Sequence, residues 1–102
     1  MLEINKAEED LILSVLQNVS GYPNINWKDE RFGFERKETG KLFDTLIHSG
    51  KFDFGGHDKK IVLASFVIFL ESLEDHEIVA LTDEVRLGVE RLYKKLRKGW
   101  GK

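Results

Sequence analysis

Ten consecutive residues, Ile61 to Leu70, are apolar apart from Ser65, and they limit what this chain can fold into. A segment with no polar face belongs at the centre of a fold, because any side turned to water exposes Val, Ile, Leu or Phe. It is too short to cross a bilayer, which takes about 20 such residues. Its β-branched content suits a buried strand as well as a helix, and periodicity does not separate the two. The flanks favour a helix. Lys59-Lys60 and Glu71-Ser72-Leu73-Glu74 bound the run with no turn residue inside it, which predicts a helix over Lys59–Leu73 capped by Asp58. A helix apolar on so many faces is hard to cover in a small monomer, so self-association through it is also expected.

The other elements are read around this centre. Asn5 and Glu8 make a capping-box pattern ahead of Leu11, Ile12, Val15, Leu16 and Val19, so a first helix is expected from Lys6 to about Val19, ended by Gly21 and Pro23. A second is expected over Gly40–Ser49, capped by Thr39, stopped by Gly50 and faced with Leu42, Phe43, Leu46 and Ile47. The last is expected to be capped by Thr82, with Asp83 and Glu84 in its first turn, a core stripe of Val85, Val89, Leu92 and Leu96, and Gly99 at its end. Gly88 in its middle marks a break or a close approach by another helix. Residues 22–38 are irregular, with Tyr22, Trp27, Phe32 and Phe34 among charged residues, and 51–56 read as a turn. No internal repeat or dividing linker stands out. The expected fold is all-α: one domain over residues 1–102, a compact bundle of about four helices, with a short extended or hairpin element allowed within 22–56.

The chain contains no cysteine, which excludes disulfides, thiol nucleophiles and cysteine-ligated zinc, and fits a reducing, cytoplasmic setting. Met1–Ile4 lacks the basic-then-apolar pattern of a signal peptide. Gly40-Lys41 is not a phosphate loop, because that motif needs a glycine where Glu35 stands and Ser or Thr where Leu42 stands. His48, His57 and His76 lack metal-ligand spacing, and the serines lie in no elbow or triad context. A helix-turn-helix reading around Gly88 fails at Glu84, Lys94 and Arg97, which occupy positions that must be small or apolar. No catalytic residue, metal site or cofactor is expected.

Charge carries the remaining signal. Residues 71–90 hold seven acids against Arg86 alone, whereas residues 91–102 hold six bases and no acid, within a formal net charge of −2. At 100° per residue Arg91, Lys94, Lys95 and Lys98 form a ridge opposite the apolar stripe, running into Trp100. These five residues are the candidate partner-binding set. The expected activity is that of a small non-enzymatic regulator, inhibitor or adaptor that binds another protein through charge-segregated surfaces. Nucleic-acid binding by the basic helix is the alternative, disfavoured by the net negative charge.

Overall fold

The computed structural model describes residues 2–22, 25 and 32–100. Five helices follow in order: α1 (Lys6–Gly21), α2 (Arg36–Ser49), α3 (Gly56–Ser72), α4 (Asp75–Thr82) and α5 (Arg86–Trp100). The fold is all-α, and no strand occurs among the described residues, so the region 22–56 holds no hairpin there. Of the aromatic loop, Phe34 is buried and Tyr22 and Phe32 are half-buried, while Trp27 lies outside the described residues.

The helix starts show where local chemistry prevailed. Asn5 accepts from the Glu8 N–H at 2.8 Å and Glu8 accepts from the Asn5 N–H at 3.0 Å, the expected box. α2 begins four residues earlier than expected, because Glu35 and Glu38 form the same reciprocal box. Thr39, expected as its cap, is instead a fully buried helical residue whose hydroxyl donates to the Arg36 carbonyl at 2.6 Å. α3 begins at Gly56, with Gly55 as cap, so Asp58 sits in the first turn and favours the helix dipole from there.

The fifth helix arises from one stretch. Glu74 and Glu77 make a third reciprocal box and start α4, and Asp83, left-handed at φ 59°, stops it. Thr82 is therefore the last residue of α4 and does not cap α5; its hydroxyl donates to the Ile78 carbonyl at 2.6 Å. Val85 stands ahead of the first turn of α5 and is 55% exposed rather than in the core, whereas Val89, Leu92 and Leu96 are buried as expected. Gly99 does not end α5. A Cβ there would lie 2.8 Å from a Leu2 methyl, so the glycine admits Leu2. At Gly88 a Cβ would lie 2.3 Å from the Glu84 carboxyl carbon, so the close approach comes from the preceding turn and not from another helix.

The helical reading of Ile61–Leu70 holds, and Ile61, Val62, Ala64, Ser65, Phe66, Ile68 and Phe69 are buried. Leu63, Val67 and Leu70 are only half-buried, so one face of α3 remains uncovered.

A recurrence organises the bundle that the sequence does not announce. The buried residues of α1, Ile12, Val15, Leu16 and Val19, stand fifty positions before Val62, Ser65, Phe66 and Phe69, all buried in α3. The buried residues of α2, Thr39, Leu42 and Leu46, stand fifty before Val89, Leu92 and Leu96, the buried set of α5. The caps Asn5 and Gly55 keep the same spacing. α1 with α2 and α3 with α5 are thus two versions of one helical pair, with α4 inserted in the second.

Both pairs close their first helix in the same way. α1 and α3 have no base in the last turn and no left-handed cap, unlike α2 with Gly50 and α4 with Asp83. Their terminal carbonyls are reached instead by the first residue of the following long helix. Arg36 donates to the carbonyls of Val19 (3.0 Å), Tyr22 (3.3 Å) and Ile25 (2.8 Å). Arg86, fifty residues on, donates to the carbonyls of Leu70 (2.7 Å) and Leu73, and to Asp75. A guanidinium suits this role because its donors fan out in a rigid plane and it stays charged.

Candidate functional site

The two pairs meet reciprocally: α1 packs on α3, α2 packs on α3, and α5 lies beside α1. Two matching hollows mark these junctions. One, of about 330 Å³, is lined by His57, Asp58 and Ile61 against Glu38, Lys41 and Leu42. The other, of about 320 Å³, is lined by Ala7, Glu8 and Leu11 against Gly88, Arg91 and Leu92, the same places fifty residues away. Each is bridged by one side-chain pair, with different members. Lys95 donates to both Glu8 carboxylate oxygens at 2.8 and 2.9 Å, and His57 Nε2 lies 2.8 Å from Glu38 Oε1. Burial pushes the Glu8 carboxyl up, but the Lys95 bond, the Asn5 N–H and the Lys95 charge outweigh it, leaving the pKa below its ordinary value. The Glu38 pKa is lowered by its bond to His57 and by the Glu35 N–H. These pairs join the halves.

The five sequence candidates do not act as one ridge. Arg91, Lys94 and Lys98 are exposed on the outer face of α5, near Leu87, which is 59% exposed. None of the three has a carboxylate partner among the described residues. Lys95 turns toward α1 and is consumed by Glu8. Trp100 turns the other way and packs edge-on against Phe54, with ring centroids 5.1 Å apart.

Trp100 belongs to a feature that sequence reading missed. Between α3 and α5 lies an open groove of about 560 Å³. Its floor is Leu63 and Val67, on the uncovered face of α3, with the buried Ala64 between them, and its walls are Phe32, Tyr93 and Trp100. Tyr93 is held upright by stacking on buried Phe66, with centroids 6.3 Å apart. Lys59 and Lys60 stand at one end. The Lys59 ammonium lies 6.0 Å over the Trp100 ring, and the Lys60 ammonium lies by Gly33, where a Cβ would be only 3.2 Å from it. Neither lysine has a carboxylate partner among the described residues. The one signal that finds this groove in the sequence is alignment of the chain on itself. At the same places on α1 stand Glu9, Asp10, Leu13, Ser14 and Gln17, an ordinary solvated face.

Among the described residues no three His, Asp or Glu side chains gather as a metal-ion set, and no helix is long and apolar enough to cross a membrane. No protein-family profile matches the chain, and no curated protein and no solved structure matches it either. The fold defines the class, an all-α bundle with five helices among the described residues.

Proposed function

We propose that this protein is a non-enzymatic regulator or adaptor that docks an acidic surface of another protein on the outer face of α5. The observation that carries this reading is the trio Arg91, Lys94 and Lys98, exposed along about two turns of one helix face with Leu87 at its edge and unpaired among the described residues. Cations left unpaired beside an exposed apolar residue suit a partner that brings carboxylates and a small apolar contact. The acids of α4, Asp75 and Glu77, leave the second half of the chain with opposite charges in different places, which orients an approaching partner.

Nucleic-acid binding is the second reading, and the diversion of Lys95 to Glu8 weakens it. Three phosphate contacts give a log–log salt slope of only about −2 to −3, a shallow dependence typical of weak association. Titration with fluorescent duplex and single-stranded oligonucleotides at low salt decides between the two. We expect no binding tighter than about 10 μM; micromolar or tighter binding that disappears in Arg91→Glu/Lys94→Glu/Lys98→Glu establishes the nucleic-acid reading instead. For the protein partner, capture from the native host with the unmodified chain and with the same triple variant is the test. Proteins retained by the first and lost by the second are the expected result, and an identical retained set refutes the proposal.

A further inference from the structure

The groove between α3 and α5 is built for something the fold itself does not require, and the first half of the molecule supplies the comparison that shows it. Leu13 and Leu63, fifty residues apart on α1 and α3, are both half-buried, whereas Ser14 and Gln17 are more exposed than Ala64 and Val67. Phe43 and Tyr93 stand beside them at the same places on α2 and α5, both half-buried. On α1 the remaining positions are Glu9, Asp10, Ser14 and Gln17; on α3 they are Lys59, Lys60, Ala64 and Val67. The helical pair is therefore stable with a polar face at this place. The apolar floor and the two cations on α3 do not follow from the architecture.

We infer that the groove is a binding site for an amphipathic carboxylate of the fatty-acid class. The polarity of the site specifies this ligand. The cations lie at one end only, one ammonium over Trp100 and the other by Gly33, on either side of the entrance. From Lys59 the floor runs along Leu63 and Ala64 to Val67, eight residues or about 12 Å on a helix, with no charged side chain in its lining beyond the two lysines among the described residues. A ligand that fits carries one anionic head and an unbranched apolar tail. The volume of about 560 Å³ falls within the range of small-molecule sites, roughly 300–1,000 Å³. Two alternatives fit less well. A second copy of this chain placed on a two-fold axis here sets one concave face against another and leaves a void between them. A folded protein partner needs a patch of roughly 800 Å² per side, which nine lining residues do not supply. Lys59 and Lys60 supply charge-assisted hydrogen bonds to the carboxylate, and Phe32, Tyr93 and Trp100 exclude water from the tail.

The test is titration of the isotope-labelled full chain with sodium laurate below its micelle concentration, followed by amide chemical shifts. We expect saturable shifts concentrated on residues 56–67, 93 and 100, at micromolar ligand. Dodecanol and dodecyltrimethylammonium, which keep the tail and remove or reverse the charge, are expected to bind at least about tenfold more weakly. The decisive variant transplants the α1 face onto α3: Lys59→Glu, Lys60→Asp, Ala64→Ser and Val67→Gln. Loss of laurate shifts with the remaining spectrum intact supports the site. Equal binding of laurate and the cationic amphiphile overturns it, as do shifts on residues 9–17 as large as those on 56–67. Should the transplant fail to fold, Lys59→Glu/Lys60→Glu, which changes only the groove entrance, takes its place, and unchanged laurate affinity in it overturns the assignment. Cosedimentation with phosphatidylglycerol vesicles, if as tight as laurate binding, shows a membrane-surface site and likewise overturns it. Because the groove shares no cation with Arg91, Lys94 and Lys98, failure here leaves the acidic-partner proposal standing, and the reverse also holds.

Discussion

The two helical pairs share an interior and differ in their surfaces. Where α1 meets α2 and α3 meets α5, the buried positions recur at fifty-residue spacing although the residues change: Val15 against Ser65, Leu16 against Phe66, Thr39 against Val89. On the outside, Glu9, Asp10, Ser14 and Gln17 on α1 face Lys59, Lys60, Ala64 and Val67 on α3. A shared interior with divergent surfaces separates what the fold demands from what it merely permits. Burial is demanded at the recurrent core positions. The groove is permitted, and its composition needs another cause.

The sharpest way to break this comparison is in the core. Phe66 and its counterpart Leu16 are both fully buried. Phe66→Ala is expected to cost about 3–5 kcal/mol and Leu16→Ala about 2–5 kcal/mol in urea melts. A nearly neutral Leu16→Ala means that the first pair is not a working copy of the second.

The arginines come next. Arg86→Met leaves the Leu70 and Leu73 carbonyls and Asp75 without their donor, and Arg36→Met strips the Val19, Tyr22 and Ile25 carbonyls. Each change is expected to cost about 2 kcal/mol, from part-buried carbonyls left unpaired, with lysine restoring only part of the loss. Chemical denaturation of the two variants side by side measures it. Losses that differ severalfold break the equivalence of the two helix ends.

The side-chain pairs between the halves act through pH. Glu8 and Glu38 both have folded-state pKa values below the ordinary carboxylate value, so their contribution to stability is present above that value and is lost as pH falls through the depressed one. Stability is expected to decline below about pH 4. Lys95→Met, which removes the partner of Glu8, is expected to cost about 1 kcal/mol at pH 7 and less at pH 3, since the Lys95 side chain is itself 39% exposed. An equal cost at both pH values assigns the loss to packing and not to charge. The smallest effect is expected at Ser65, whose buried hydroxyl has no hydrogen-bond partner among the described residues, at a place where the first half carries Val15. Ser65→Ala is expected to be neutral or to stabilise by up to about 1 kcal/mol. A clear loss in thermal melts shows that the hydroxyl is satisfied in solution.

Sequence reading succeeded where the signal is local. The Asn5–Glu8 box and the stripes on α1 and α5 depend on spacings of three or four residues, and the central helix on its charged flanks. It failed where an uncommon residue filled a common role. Glu35 and Glu74 start helices although Ser, Thr, Asp or Asn is the usual cap, so sequence reading starts α2 late and assigns no helix to residues 75–82. The recurrence stayed hidden because burial is kept while chemistry is not. Arg36 and Arg86, Leu42 and Leu92, and Leu46 and Leu96 are identical, but Thr39 and Val89 are matched only by position. Sequence reading sets Trp100 at the end of the basic ridge, whereas it packs on Phe54 beside the groove. Lys59, Lys60 and Val67 were read as flank and core of a buried helix, because no local pattern reveals which face of an apolar helix goes uncovered.

The contact of Leu2 with Gly99 has a further consequence. It brings the beginning of the first pair and the end of the second within touching distance, close to the short stretch from Gly50 to Gly55 that joins the pairs and whose Phe54 packs on Trp100. The connection and the gap are therefore interchangeable. A circular permutant that begins at Lys51, with a short glycine-serine link from the end of α5 to Leu2, keeps both arginine clasps, both side-chain pairs and every core contact between the halves. This permutant is expected to fold with stability close to that of the original chain, as urea denaturation checks.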